Sequence, residues 1–402
     1  AMSCAMAALV TASSLGAPVA AANQVDRSID TAVSRLVTDP SLGARVGVHV
    51  RGEASGETVS DVMAGEGFIP ASTMKVVTAY TALRRLGADY RFSTTVHLTQ
   101  GGRLILKGGG DPVLTSRDLR LLAIRTAKAL RKRGAVSSVV VDFDDGIFAK
   151  PRNAPGWESG DMPTYVSAVR GLGLLGSYAT DTARVATAAF VSHLNSRGIR
   201  AALGSRTDVG GADRRLARFR GNDVAEAIDV MMPASENNVA EVLFRQVAVA
   251  SGEASNWVGS RRAARKVLRR DGFTIRGSAF IDGSGLSYRN RLTPSLLTDI
   301  LMRIHTDARY IVARDSLPVA GVNGTMIRRF AVPPASCARG SIAAKTGSLP
   351  MTVSTLAGVT NARDGTTKAF AIMVNDRPSS YAWSHTSAVI DTIAAAVNGC
   401  VR

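Results

Sequence analysis

The sequence predicts an α+β protein carrying a long insertion, and three features support that reading. Apolar positions recur at helical spacing around residues 76–83, 228–250 and 293–305, whereas residues 45–51 and much of 341–375 pattern as strands. The texture changes after Gly87, and helical periodicity returns only at Asp223. With 402 residues and 46% apolar content, the chain can bury a large core, in two domains or in one domain with an insertion.

Residues 1–23 are small, apolar and uncharged. They read as the apolar region and small-residue cleavage site of a secretory signal whose basic start is missing, so export is expected. The alternative is a packed or unstructured leader. Residues 26–36 form an amphipathic helix pattern, 45–51 alternate as a strand, and 57–63 suit its hairpin partner. Pro70 then punctuates the chain before Ser72, from which Val76, Tyr80 and Leu83 recur on one helix face until Gly87. These segments make residues 24–92 the first part of one domain.

Residues 93–221 read as the insertion. Strand patterns occupy 92–98, 104–106 and 138–143, a basic helix is expected over 118–133, and another near 188–196. Between them, residues 144–180 are rich in Gly, Pro and aromatics, including Trp157, Asp161 and Tyr165. Residues 222–402 complete the first domain. A helix from Asp223 ends at Pro233-Ala-Ser235-Glu-Asn237, helices follow over 238–250, 260–270 and 293–305, strands over 341–346, 352–360 and 368–375, and a last helix over 380–397. Cys337 and Cys400 either pair, tying that helix to the segment before Lys345, or stand as two separate thiols.

The net charge of +17 fits attraction to an acidic polymer, an anionic membrane face or nucleic acid, but no nucleic-acid motif accompanies it. The paired basic residues at 261–262, 265–266 and 269–270 read as a solvated helix face. Only 8 of the 49 basic residues are lysines, so the places where lysine is used stand out, since lysine readily becomes a neutral amine. No cysteine or histidine spacing suits zinc and no phosphate-binding glycine loop precedes a Lys-Ser/Thr, so neither metal nor cofactor is expected.

Three motifs each occur once: Ser72-x-x-Lys75, Ser235-x-Asn237 and Lys345-Thr346-Gly347. Their order is that of the penicillin-interacting serine enzymes. Ser72 would be the nucleophile, and Lys75, one turn later on the same face, would take its proton directly or through Ser235. Asn237 would hold Lys75 and a substrate carbonyl. Lys345 would add a charge that keeps Lys75 neutral and attracts a carboxylate, to which Thr346 and Ser348 offer hydroxyls. Gly347 would let the strand approach closely, and the backbone N–H groups of Ser72 and Ser348 would form the oxyanion site. The five histidines lie near no nucleophile elbow, which argues against a Ser-His-Asp triad.

The chain resembles the low-molecular-mass class C penicillin-binding proteins of the D-Ala-D-Ala carboxypeptidase/endopeptidase family. The likeness spans residues 25–397 and rests on Pro70-Ala-Ser-Thr-Met-Lys75, Gly109-Gly-Asp-Pro-Val-Leu114, Asp282-Gly-Ser-Gly-Leu-Ser287, Val322-Asn-Gly-Thr325 and Ala344-Lys-Thr-Gly-Ser-Leu349. It implies a serine β-lactamase/transpeptidase-like fold, an antiparallel sheet flanked by helices with a domain inserted between the first two motifs. It also implies a serine DD-peptidase that acts on peptidoglycan stem peptides through an acyl-enzyme on Ser72 and is covalently trapped by β-lactams. Trp157, Asp161 and Tyr165 resemble the segment that binds the free amino end of a stem-peptide side chain. In family members an arginine often follows Asp-Gly-Ser-Gly-Leu-Ser directly; here Tyr288 does, with Arg289 next. The competing expectations are a β-lactamase of related fold and a non-catalytic envelope-binding or sensor protein.

Overall fold

The computed structural model describes residues 16–401 except 54–55, 135–137 and 351, so residues 1–15 of the signal-like leader lie outside the described residues. The first helix, α1 (Gly16–Leu36), begins ten residues earlier than the amphipathic pattern suggested. Strands β1 (Arg45–Gly52) and β2 (Thr58–Val62) form the expected antiparallel hairpin. A turn of 3-10 helix, Ala71–Thr73, leads into α2 (Met74–Leu86).

The next stretch is a unit with its own sheet: β3 (Arg91–Leu98), β4 (Leu104–Lys107), α3 (Ser116–Arg131), β5 (Ser138–Asp144), α4 (Asp161–Thr164), α5 (Thr182–Asn195), β6 (Arg200–Arg206) and β7 (Arg214–Asp223). The sheet order is β6-β5-β4-β3-β7, with β4, β5 and β6 parallel and β3 antiparallel to both neighbours. The two parallel crossovers run through α3 and α5, and Leu119, Leu122 and Leu130 of α3 with Phe190 and Leu194 of α5 bury against Val96, Leu106 and Val141 of the sheet. A capping box starts α3, Thr115 with Asp118, which is why the helix begins at Ser116.

The chain then returns through α6 (Val224–Ala234), α7 (Asn237–Ala250), α8 (Trp257–Arg270), α9 (Pro294–Thr306) and the short α10 (Ile311–Asp315) to β8 (Ile342–Leu349), β9 (Val353–Asn361), β10 (Thr367–Asn375) and α11 (Trp383–Asn398). The main sheet is antiparallel with order β2-β1-β10-β9-β8, so the two ends of the chain share it; Arg45 lies opposite Asn375 and Gly52 opposite Lys368.

Alternation along β10 shows how the sheet divides the core. Phe370, Ile372 and Val374 pack on α1 and α11, while Ala369, Ala371 and Met373 face the helical side that contains α2 and α6–α9. Both faces are covered, which explains why β9 and β10 are buried along nearly their whole length and why β10 reads as a continuous apolar run from Ala369 to Val374. Strand β8 runs three residues past its expected end, to Leu349, and so takes in Gly347 and Ser348. Cys337 and Cys400 form a disulfide that closes a 63-residue separation and pins the end of α11 to the segment before β8. By the chain-entropy relation such a closure stabilises by about 4 kcal/mol. Among the described residues no helix is long and apolar enough to cross a membrane.

Candidate active site

Helix α2 is buried from Met74 to Leu83; the 3-10 turn before it carries Ser72 and its own first turn carries Lys75. Glycines let other segments close on that turn. A Cβ added at Gly285 would overlap the Ala71 carbonyl, and one at Gly347 would overlap Thr355 Oγ1 and lie 2.8 Å from Pro70 O and 2.9 Å from Ser72 N. Thr355 Oγ1 also donates to Pro70 O at 2.9 Å, tying β9 to the same turn. The Ser72 backbone therefore sits between the loop at Asp282–Ser287 and strand β8.

Lys75 is fully buried. Its Nζ donates to Ser72 Oγ at 2.9 Å, to Asn237 Oδ1 at 2.7 Å and to Ser284 O at 2.9 Å. Those three acceptors satisfy all three N–H bonds of an ammonium and fix its position. Burial lowers its pKa to about 8, against the opposing pull of Glu241, Asp282 and Glu236. Lys345 is fully buried too, and its Nζ donates to Thr346 O at 3.0 Å. Burial, and then the charge of Lys75, push it well below the ordinary lysine range. Desolvation leads for both amines, and the charge of Lys75 adds to it at Lys345; the expected push of Lys345 on Lys75 is not the main cause.

Asn237 opens α7, and Ser235 just before it caps α6 in the left-handed conformation, φ 58° and ψ 38°. That kink lets two residues, two positions apart, end one helix and start the next. Asn237 Nδ2 donates to Tyr165 O at 2.9 Å, so its orientation is set from both ends. Among the described residues the hydrogen-bond partners of Ser72 and Lys75 do not include the Ser235 hydroxyl. Thr346 Oγ1 donates to Thr325 Oγ1 at 2.7 Å, and a Cβ at Gly324 would lie 2.7 Å from Pro233 O. The Val322-Asn-Gly-Thr325 segment therefore packs between the end of α6 and strand β8.

The cleft beside Ser72, about 980 Å³, is lined among others by Glu158, Asp161, Tyr165, Asn237, Tyr288, Ser348, Arg377 and Trp383. Asp161 is buried, accepts from Glu158 N at 2.6 Å, and has its pKa raised by burial and by the charges of Glu158 and Asp282. Tyr165 is half exposed on the same wall. Trp157 is placed differently: it packs beneath the cleft near Ala71, Val166 and Leu286, and its indole donates to Asp282 Oδ2 at 2.9 Å. Tyr288 lines the cleft, with its pKa raised by burial and by Asp161 and Glu158. Arg289 beside it is exposed, and its side-chain stem lies over Gly156.

Sequence reasoning missed several members. Glu241 is buried on α7 one turn beyond Asn237, and its carboxylate accepts from Gly283 N at 2.9 Å and Ser284 N at 2.8 Å. It thereby holds the loop whose carbonyl holds Lys75. Burial and the Asp282 charge raise its pKa to about 8, the loop's hydrogen bonds opposing. The i, i+4 spacing from Asn237 was the available signal. Asp282 organises the same loop, accepting from Gly285 N, Ser287 N and Asn290 Nδ2. Arg377, just after β10, and Trp383, the first residue of α11, had no signal.

Residues 29–172 and 174–397 match the D-Ala-D-Ala carboxypeptidase 3 (S13) family. The chain is 29% identical to Carboxypeptidase DacB of Mycolicibacterium smegmatis over 93% of this chain and 84% of the relative. It is 28% identical to a D-alanyl-D-alanine carboxypeptidase of an Actinomadura species, over 85% of this chain and 80% of the relative. Penicillin binding protein 4 of Haemophilus influenzae superposes with a TM-score of 0.75 at 22% identity, covering 91% of this chain and 98% of the other.

Proposed function

The chain belongs to the D-Ala-D-Ala carboxypeptidase 3 (S13) family, and from that premise we propose that Ser72 is the nucleophile of a serine DD-peptidase and Lys75 its base. The observation that carries this is the Lys75 Nζ–Ser72 Oγ hydrogen bond of 2.9 Å, made by a buried amine whose pKa is lowered to about 8. Ser72 Oγ attacks the carbonyl of the penultimate D-Ala of a peptidoglycan stem peptide while its proton passes to Lys75. The backbone N–H groups of Ser72 and Ser348 take the developing oxyanion, consistent with Gly347 lying against Ser72 N. Collapse breaks the peptide bond, the proton goes from Lys75 to the leaving amine, directly or through Ser235, and an ester remains on Ser72. Water hydrolyses that ester by the reverse relay.

Thr346 and Ser348 offer hydroxyls to the carboxylate of the leaving residue, with Lys345 beneath them. Asp161, Glu158 and Tyr165 form the acidic side of the cleft and suit the free amino end of the stem-peptide side chain. The leaving group is a terminal D-Ala in the carboxypeptidase reaction or a cross-linked partner strand in the endopeptidase reaction. A peptidoglycan substrate supports a location outside the cytoplasm, and the charge of +17 suits an anionic wall polymer there. β-Lactams acylate Ser72 in place of the peptide.

Intact-mass spectrometry after incubation with a penicillin, with Ser72→Ala in parallel, tests this. One persistent adduct on the parent protein and none on the variant is the expected result. An adduct on Ser72→Ala, or destruction of the drug without an adduct, overturns the assignment.

A further inference from the structure

Helix α8 carries six cations in fourteen residues, in two stripes at i, i+4 spacing: Arg261, Arg265 and Arg269, and Arg262, Lys266 and Arg270. Its apolar side is committed, since Trp257, Ala263, Ala264 and Leu268 are buried in the core. Among the described residues one acid answers the cations directly: Glu253 pairs with Arg262 at 3.2 Å and Lys266 at 3.7 Å. Arg265, Arg269 and Arg270 have no ion-pair partner among the described residues. The first stripe, with Arg262, Lys266 and their partner Glu253 at its margin, lines a groove of about 650 Å³ whose far wall is Ala279, Phe280 and Ile281. That wall runs directly into Asp282 and the loop that holds Lys75.

We infer that this groove is the docking surface for a phosphodiester-linked wall polymer. The inference rests on the anionic-wall reading given above and assigns it to one face. Five of the six cations are arginines, whose planar forks match phosphate oxygens better than an ammonium does. Successive members of a stripe rise about 6 Å along the helix, a ladder that a flexible chain with a charge every few bonds can follow. Membrane insertion is disfavoured because the apolar side of α8 is already buried, leaving Val258 as the exposed apolar residue of the groove. Single-stranded nucleic acid is disfavoured because the groove presents no exposed aromatic for base stacking.

The test is binding of the full protein to poly(glycerol phosphate) between 50 and 200 mM salt, roughly the range over which counterion release changes affinity strongly. Arg261→Gln/Arg265→Gln/Arg269→Gln is compared with a control triple on exposed positions of α3, Arg117→Gln/Arg120→Gln/Lys128→Gln. The α8 triple is expected to lose at least about tenfold in affinity and to flatten the salt slope by about 2, from three lost contacts. The control triple is expected to stay within twofold. Penicillin acylation at the parent rate verifies folding of each variant, and single Arg265→Glu serves if the triple fails that check. Equal losses in both triples sink the assigned face while leaving the anionic-wall reading intact. No binding by the parent protein at low salt sinks both. Binding to phosphatidylglycerol vesicles but not to the polymer identifies a lipid surface instead and overturns the inference.

Discussion

Changing Asn237 to Asp places a negative charge where the Asn237 amide oxygen now accepts from Lys75 Nζ at 2.7 Å. With its pKa at about 8, Lys75 is neutral in roughly one molecule in eleven at pH 7; an ordinary lysine would be neutral in only about three in ten thousand. An adjacent carboxylate raises an amine by about 1–3 units. A charge at about 4 Å with an effective dielectric of 20 gives about 4 kcal/mol, the upper end of that range. Asn237→Asp should therefore move the alkaline-rising limb of penicillin acylation by about one to three pH units and lower the rate at pH 7 by about 10- to 1,000-fold. Raising the pH should recover much of the loss. Asn237→Ala removes the acceptor without adding charge, so its plateau should fall by about 10- to 100-fold while the limb is not driven alkaline. The assay is the second-order acylation rate with a chromogenic penicillin across pH, which reports groups on the free enzyme. A limb that stays in place in Asn237→Asp while only the plateau falls would refute Lys75 as the group that must lose its proton.

Three further substitutions separate contact from positioning. Gly347→Ala inserts a Cβ against Thr355 Oγ1 and 2.9 Å from Ser72 N, so it should destabilise by about 1–3 kcal/mol and slow acylation at least about 100-fold; unchanged melting and labelling would show that β8 does not press on the Ser72 turn. Trp157→Phe keeps a ring but removes the donor to Asp282, at a cost of about 1–3 kcal/mol, and should slow penicillin and peptide alike. Asp161→Asn should leave penicillin acylation within twofold and reduce kcat/KM on a peptide with a free side-chain amine by about tenfold or more. Loss confined to the peptide in Trp157→Phe would make Trp157 a substrate contact instead.

The candidate catalytic side chains were legible because three short motifs bring fixed residue types at fixed spacing, and α2 shows its helical period from Val76 to Leu83. What surrounds them was less so. The carbonyls of Ser284 and Tyr165 hold Lys75 and Asn237, and a carbonyl leaves no residue signature. Glu241 reads as an ordinary helix-surface acid until the loop at Gly283 and Ser284 closes over it. Helix α8 starts at Trp257, not Ser260, because the Asn256 side chain accepts from Gly259 N and fixes the cap earlier than the apolar period announces. The four residues of α4 are too few for any period to register.

The segment between α2 and α6 is more than a second sheet attached to a catalytic core. Its returning stretch supplies the Tyr165 carbonyl to Asn237, the Trp157 indole to Asp282 and the Pro155 carbonyl to Ser287 Oγ at 2.7 Å. Arg245 of α7, fully buried, donates to Ala149 O and Ser255 O and lies over the rings of Phe148 and Trp257, at 5.3 and 4.6 Å. Burial, and then the charge of Arg152, lower its pKa to about 10, so the guanidinium stays charged at neutral pH and its buried charge is met by those carbonyls and ring faces. Excising the segment would leave the Asn237 amide without an acceptor, one Asp282 oxygen without its indole donor and Arg245 without half of its support. The three motifs by themselves therefore do not make the site. Two of them are oriented by backbone and side chains from the stretch that their wide separation in sequence leaves room for.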